Sequence, residues 1–234
     1  MPVMRILLIS LLGLAEILMI GATPVEIYKK IYGVDKRRCG NNEAPYQVLV
    51  TMGPFRCGGT LLPGGWVLTA AHCHEEKMEA YIGLRKFSEK KEKKPYLGTA
   101  HVHPEFKKEN GADMNDIMLI KLNRDPGAAT AALPQPCPSK KYKPPPENTK
   151  FLFAGWGEID DNKYPDDLQC MDIKNQNADF TTDLVFLYLT EKSWVGQGDS
   201  GGGLVYDTGN GKKWLELLKE EVRDCPCSHL CAIT

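Results

Sequence analysis

The stretch 46–69 reads YQVLVTMGPFRCGGTLLPGGWVLT. Tyr46–Thr51 and Thr60–Thr69 are rich in β-branched and aromatic residues, which suit a pleated, half-buried surface. Gly58-Gly59 and Pro63-Gly64-Gly65 punctuate them, and such residues mark turns or bulges. The same grammar continues outward. Ala80–Leu84, Ile117–Leu122, Phe151–Ala154 and Leu184–Leu189 are further strand candidates. Short strands with turn residues between them predict an antiparallel sandwich or barrel. Lys140–Pro146 ends in three prolines, which bars it from a central strand and suits a stiff connector between two halves. In the tail, Trp214, Leu215, Leu218 and Val222 share one helical face, so a short helix is expected over Lys212–Val222.

The bulk numbers agree with one folded domain, or one made of two packed halves. The chain has 234 residues, 42% hydrophobic and 25% charged, which supports a sizeable core and excludes global disorder. Glycine (22) and proline (16) point to many turns. A net charge of -1 gives no general reason to expect a nucleic-acid partner. No apolar run reaches the roughly 18 residues of a membrane span.

Residues 1–22 read as a secretory signal. Arg5 supplies the charge, Ile6–Leu14 is almost wholly aliphatic, and small residues follow at Gly21 and Ala22. Glu16 is out of character there, and the competing reading is an amphipathic N-terminal helix of the mature protein. A secreted chain places the eight cysteines in an oxidising space where they pair. Residues 23–30 end in Lys29-Lys30, ahead of the apolar Ile31. A basic pair before an aliphatic residue is a trypsin-type cleavage point, although paired lysines are also common on solvated surfaces.

Three polar residues stand in suggestive company. Ser200 lies in Gly196-Gln197-Gly198-Asp199-Ser200-Gly201-Gly202-Gly203. Glycines let a backbone turn tightly and present N–H groups unobstructed, and two N–H groups beside a hydroxyl make an oxyanion hole next to a nucleophile. A merely flexible loop is the plainer alternative. Serine needs a base to act at neutral pH, usually histidine. Of five histidines, His72 follows the strand-like Trp66–Ala71 and precedes Cys73. The base needs a buried carboxylate to fix its tautomer. Asp116 precedes the apolar Ile117–Ile120, although a lone Asp there is more often a turn or cap residue.

Taken together, these segments carry a resemblance. Leu68-Thr69-Ala70-Ala71-His72-Cys73, Asp116-Ile117-Met118-Leu119-Ile120-Lys121-Leu122 and Gly198-Asp199-Ser200-Gly201-Gly202 resemble the three signature segments of trypsin/chymotrypsin-like serine proteases, in that family's order. Pro45-Tyr46-Gln47-Val48, Cys57-Gly58-Gly59-Thr60-Leu61 and Gly155-Trp156-Gly157 match as well. The resemblance runs from about Ile31 to Val205. It implies an all-β fold of two antiparallel β-barrels, about 31–135 and about 147–234, with the site in the cleft between them. It implies a secreted endopeptidase with protein or peptide substrates, protein protease inhibitors as partners, no cofactor and a monomeric state. Ser200 is then the nucleophile, His72 the base, Asp116 its orienter, and the N–H groups of Gly198 and Ser200 the oxyanion hole. Cleavage after Lys30 would free the Ile31 ammonium to pair with Asp199. The resemblance also implies Cys57–Cys73 and Cys39–Cys170 bridges, with Cys225, Cys227 or Cys231 as partner of Cys137.

The chain departs from the family in places. Trp194 stands where trypsins carry the aspartate that selects Lys or Arg, so a basic preference is disfavoured. Val34 replaces a glycine and Gly196 a cysteine. Phe151 and Tyr206 replace both ends of one family bridge. Beyond Val205 the strand that walls the family's substrate pocket has no recognisable counterpart, so the second barrel is expected to be incomplete. That gap keeps a second reading open: a catalytically weak or inactive homologue that acts as a binding protein.

Two metal questions also arise. Cys225, Cys227, His229 and Cys231 alternate as ligands for zinc, but a secreted protein favours disulfides, and no metal is expected. Arg85–Lys94 lies where some trypsins bind calcium, and its lysines cannot ligate it. A solvated loop is expected there rather than a binding site for an anionic polymer.

Overall fold

A computed structural model of the chain describes residues 36–109, 112–133, 149–159, 162–174, 196–207 and 213–216. The first of its strands is β1 (Lys36–Arg38), followed by β2 (Gln47–Met52), β3 (Phe55–Leu62), β4 (Trp66–Thr69), β5 (Glu79–Ile82) and β6 (Gly98–Val102). Then come the short hairpin β7 (Lys107–Glu109) and β8 (Ala112–Met114), and β9 (Met118–Leu122). β10 (Lys150–Gly155), β11 (Gln169–Lys174), β12 (Leu204–Asp207) and β13 (Lys213–Glu216) complete the series. The all-β expectation holds, and every strand pairing among the described residues is antiparallel.

The first sheet has the order β5-β2-β3-β4-β9-β6. Its two edges meet where Ala80 and Tyr96 exchange N–H···O bonds of 2.9 and 2.8 Å, which curls the sheet toward a closed barrel. Closure removes free edges that would otherwise template aggregation. The second sheet has the order β1-β11-β10-β12-β13. The earliest described strand, β1, thus belongs to the second sheet, ahead of the strands that build the first. A Cys39–Cys170 disulfide, spanning 131 residues of sequence, fastens the end of β1 to β11.

Strand alternation sorts side chains between barrel interiors and the seam. On β2, Val48, Val50 and Met52 join Leu61, Val67, Met118 and Ile120 inside the first sheet, while Leu49 joins the seam cluster. On β10, Phe151 and Phe153 pack with Met171, Ile173, Leu204 and Tyr206, while Ala154 turns to the seam. Tyr46, Leu68, Trp156, Leu168 and Val205 complete that seam, so residues from both halves share one apolar layer. Because β2 and β10 each have both faces covered, their sequences read as nearly continuous apolar runs.

The helix expected over Lys212–Val222 is a correction. Residues 213–216 form strand β13, in register Tyr206↔Trp214 and Val205↔Leu215 with β12. An apolar pair in a short segment fits either periodicity, and the open edge of β12 supplies the ladder hydrogen bonds that decide it. The strand also gives the second sheet a fifth member past Val205. The candidate strand Leu184–Leu189 and the rest of the expected helix lie outside the described residues. Thr60–Thr69 is two strands rather than one, because Gly64 and Gly65 adopt φ of +74° and +71° and reverse the chain.

Candidate active site

Each half delivers part of the site at a strand end. The first half stops β4 at Thr69 and makes one turn of 3-10 helix, Ala71–Cys73, whose two flanking residues are buried while His72 projects outward. The Cys57–Cys73 disulfide fixes that turn to β3. Asp116 sits just ahead of β9, the neighbour of β4, so sheet register brings the two residues together. His72 Nδ1 lies 2.6 Å from Asp116 Oδ2, and the His72 backbone N–H donates to Asp116 Oδ1 at 2.7 Å. One carboxylate thereby grips both ring and backbone, which leaves Nε2 as the ring nitrogen free for other chemistry. Asp116 is half-buried rather than fully enclosed, its side chain keeping 23% exposure. Burial pushes its carboxyl up, but the hydrogen bonds and charge of His72 outweigh that and hold it below the ordinary value. Asp113 approaches the same pair: one ligand atom each from His72, Asp113 and Asp116 lie within 4.8 Å of one another. These are the described residues able to offer a cation a small mixed site there.

The second half contributes the glycine-rich loop. Gly198 and Gly201 have φ of +94° and +78°, values that side chains resist. Ser200 accepts a 2.8 Å hydrogen bond on its carbonyl from Gly58 N–H, and Gly58 O accepts from Thr69 Oγ1 at 2.8 Å. The Ser200 loop is therefore docked onto β3 and β4. Among the described residues, neither the Gly198 nor the Ser200 N–H donates to a protein acceptor.

Asp199 points the other way, into the protein. It is 2% exposed, and its carboxylate accepts N–H bonds from Gly157 at 2.8 Å and Gly196 at 3.0 Å. Burial pushes its carboxyl up to about 7, against the opposing pull of those bonds and of Arg56. This explains Gly155-Trp156-Gly157, because a Cβ at either glycine would overlap the Asp199 carboxylate.

His72 and Ser200 line one cleft of about 450 Å³. Its walls include the β2–β3 turn (Met52, Pro54, Phe55, Arg56), Glu75, Tyr164, Gln197 and Gly198. Sequence reasoning missed the Arg56–Tyr164 wall. The available signal was a cation directly before Cys57, inside a segment already singled out. The Cys57–Cys73 and Cys39–Cys170 bridges expected from the resemblance are both present. Lys30, Ile31, Trp194, Cys137, Cys225, Cys227 and Cys231 lie outside the described residues. The Arg85–Lys94 loop is mostly exposed, yet it is tied to the second half: Phe87 N–H donates to Asp166 O at 2.7 Å, and Ser88 N–H to Asp166 Oδ1 at 2.8 Å.

Comparison with known proteins agrees with this architecture. Residues 33–216 match the trypsin family model. The chain is 32% identical to serine protease 1 of Canis lupus familiaris over 208 residues, 80% of each protein. It is 32% identical to kallikrein 1-related peptidase b22 of Mus musculus over 192 residues, 73% of each. Among solved structures it resembles neuropsin, a serine protease expressed in the limbic system of mouse brain, with a TM-score of 0.59 and 26% identity over 74% of this chain and 82% of that one. With two curled β-sheets meeting at one cleft and a matched segment spanning most of its length, the chain belongs to the trypsin family of serine proteases.

Proposed function

We propose that this chain is a secreted serine endopeptidase, made as a zymogen and acting through His72, Asp116 and Ser200. The observation that carries the reading is the double grip of Asp116 on His72, at 2.6 and 2.7 Å, beside a cleft that Ser200 also lines. In this reading Ser200 Oγ attacks the substrate carbonyl and His72 Nε2 takes its proton. Asp116 stabilises the imidazolium, and the undonated Gly198 and Ser200 N–H groups receive the oxyanion. The acyl-enzyme then yields to water by the same route, after His72 has protonated the leaving amine.

Activation fits the state of Asp199. A wholly buried carboxylate with a carboxyl near neutrality is a site that a cation would stabilise strongly. Cleavage after Lys30 would supply the Ile31 ammonium, and its pairing with Asp199 would order the loop on either side of Ser200. The test is a fluorophosphonate probe applied before and after cleavage at Lys30. Labelling of Ser200 only after cleavage is expected. A folded, cleaved sample that stays unlabelled yet captures a partner would sink the enzymatic reading in favour of a binding protein.

A further inference from the structure

Arg56 is a cation that rests on two rings and donates no hydrogen bond among the described residues. Its guanidinium carbon lies 4.1 Å from the Phe87 ring centroid and 4.4 Å from that of Tyr164. Two rings from opposite halves of the fold thus attract the group through their faces. A guanidinium has five N–H donors in its own plane and no acceptor. Among the described residues no oxygen takes any of them. Asp199, whose charge Arg56 feels, accepts instead from Gly157 and Gly196. Burial already costs the cation, lowering its proton affinity despite Tyr164 and Asp199. A partly desolvated charge with unused donors, facing a cleft, is matched by a carboxylate that accepts two of them side by side.

Its position sets which carboxylate. The stem of Arg56 rests on Gly198, where an added Cβ would meet Arg56 Cγ at 2.8 Å. Gly198 is one of the two N–H donors assigned to the oxyanion, so Arg56 lies within a few residues' reach of the reacting carbonyl along an extended peptide, at about 3.3 Å per residue. The family resemblance implies that Trp194, six residues ahead of Ser200 in sequence, belongs to the side-chain pocket for the residue that gives the carbonyl. Arg56 stands on the β2–β3 turn beside the Cys57–Cys73 bridge, the other flank of the nucleophile.

We propose that Arg56, framed by Phe87 and Tyr164, is a carboxylate-binding subsite for the substrate residues that follow the scissile bond, and that it gives this protein a preference for Asp or Glu there. The proposal rests on the protease reading given above. A purely structural role, clamping the two halves through its rings, predicts no such preference.

The test uses the full chain cleaved at Lys30, with internally quenched peptides that differ only in carrying Glu, Gln or Lys at each of the first three positions after the cleaved bond. Glu is expected to exceed Lys by about tenfold in kcat/KM at one of these positions, and the ratio is expected to shrink as salt rises. Arg56→Gln should collapse the ratio, Arg56→Glu should invert it, and Arg56→Lys should keep its sign. In parallel, binding of the same peptides to the Ser200→Ala protein is read by fluorescence anisotropy, which needs no turnover. Equal turnover of the three wild-type peptide sets, together with equal binding, overturns the subsite while leaving the protease standing. Discrimination in binding without hydrolysis keeps the subsite and removes the protease. Should the Arg56 variants fail to fold, the wild-type Glu-to-Lys ratio and its salt dependence still decide the matter.

Discussion

The Phe151 and Tyr206 rings meet edge to face, their centroids 5.2 Å apart, across directly opposed positions of β10 and β12. The trypsin-family resemblance implies a disulfide between these two positions, and here an aromatic contact inside the second sheet's core stands in its place. Phe151→Ala should cost about 3–5 kcal/mol, read as a lowered denaturation midpoint with an unchanged slope. The double variant Phe151→Cys with Tyr206→Cys should oxidise without added catalyst, seen as the loss of two titratable thiols. Persistence of both thiols in a folded protein would show that the strands do not face each other here.

Asp116 binds His72 at ring and backbone together, so in the proposed mechanism its role is positional as well as electrostatic. Asp116→Asn offers an amide N–H where the ring N–H needs an acceptor, and the imidazole turns to the wrong tautomer. The expected outcome is a fall of about four orders of magnitude in kcat with little change in KM. Active-site titration of the cleaved protein, beside Ser200→Ala as the zero point, measures it. A loss below tenfold would remove Asp116 from the mechanism.

How far the sequence speaks depends on whether local residues or distant partners decide the structure. β2 and β4 were legible because β-branched residues and flanking glycines agree with the tertiary outcome. The meeting of His72 with Asp116, and of His72 with Ser200 along one cleft, was legible because each sits in a short segment of distinctive composition. Leu204–Asp207 went unread as a strand, and Lys213–Glu216 was read as helix, since four-residue segments take their state from the neighbour that pairs with them. Gly98–Val102 likewise lacks an apolar alternation, and its pairing with β9 alone makes it a strand. Arg56 was invisible because its meaning lies in Phe87 and Tyr164, far off in sequence.

Gly157 tests whether the Asp199 cradle controls the Ser200 loop. A methyl at that position would overlap the carboxylate, and the carboxylate is anchored on both sides by backbone N–H groups. Gly157→Ala should therefore displace the loop, lowering the melting temperature and reducing fluorophosphonate labelling of the cleaved protein by at least about tenfold. Gly53, with φ of +60° and open space around it, is the control. Gly53→Asn should cost only a few tenths of a kcal/mol, because Asn tolerates that backbone region. Equal effects at both positions would contradict the cradle.

Asp199 also makes a signed prediction for pH. Its ordinary value is 3.8, and in the fold burial carries it up to about 7. Between those values the unfolded chain has released the proton and the folded chain still holds it. The unfolded state is then favoured by each step in pH, so this group lowers stability as pH rises from about 4 to about 7 and changes nothing further above that. The contribution is of order 4 kcal/mol at full extent. Asp166, whose hydrogen bonds from Ser88 hold it low, and Asp116 act with the opposite sign below that window, so the difference between wild type and Asp199→Asn isolates the term. For the uncleaved protein, the melting-temperature difference in favour of Asp199→Asn should grow across that window. After cleavage at Lys30 it should vanish or reverse, because an ammonium paired with Asp199 keeps it ionised throughout. A cleaved protein that retains the uncleaved slope would mean that the new terminus never reaches this carboxylate, and the proposed activation step would fall with it.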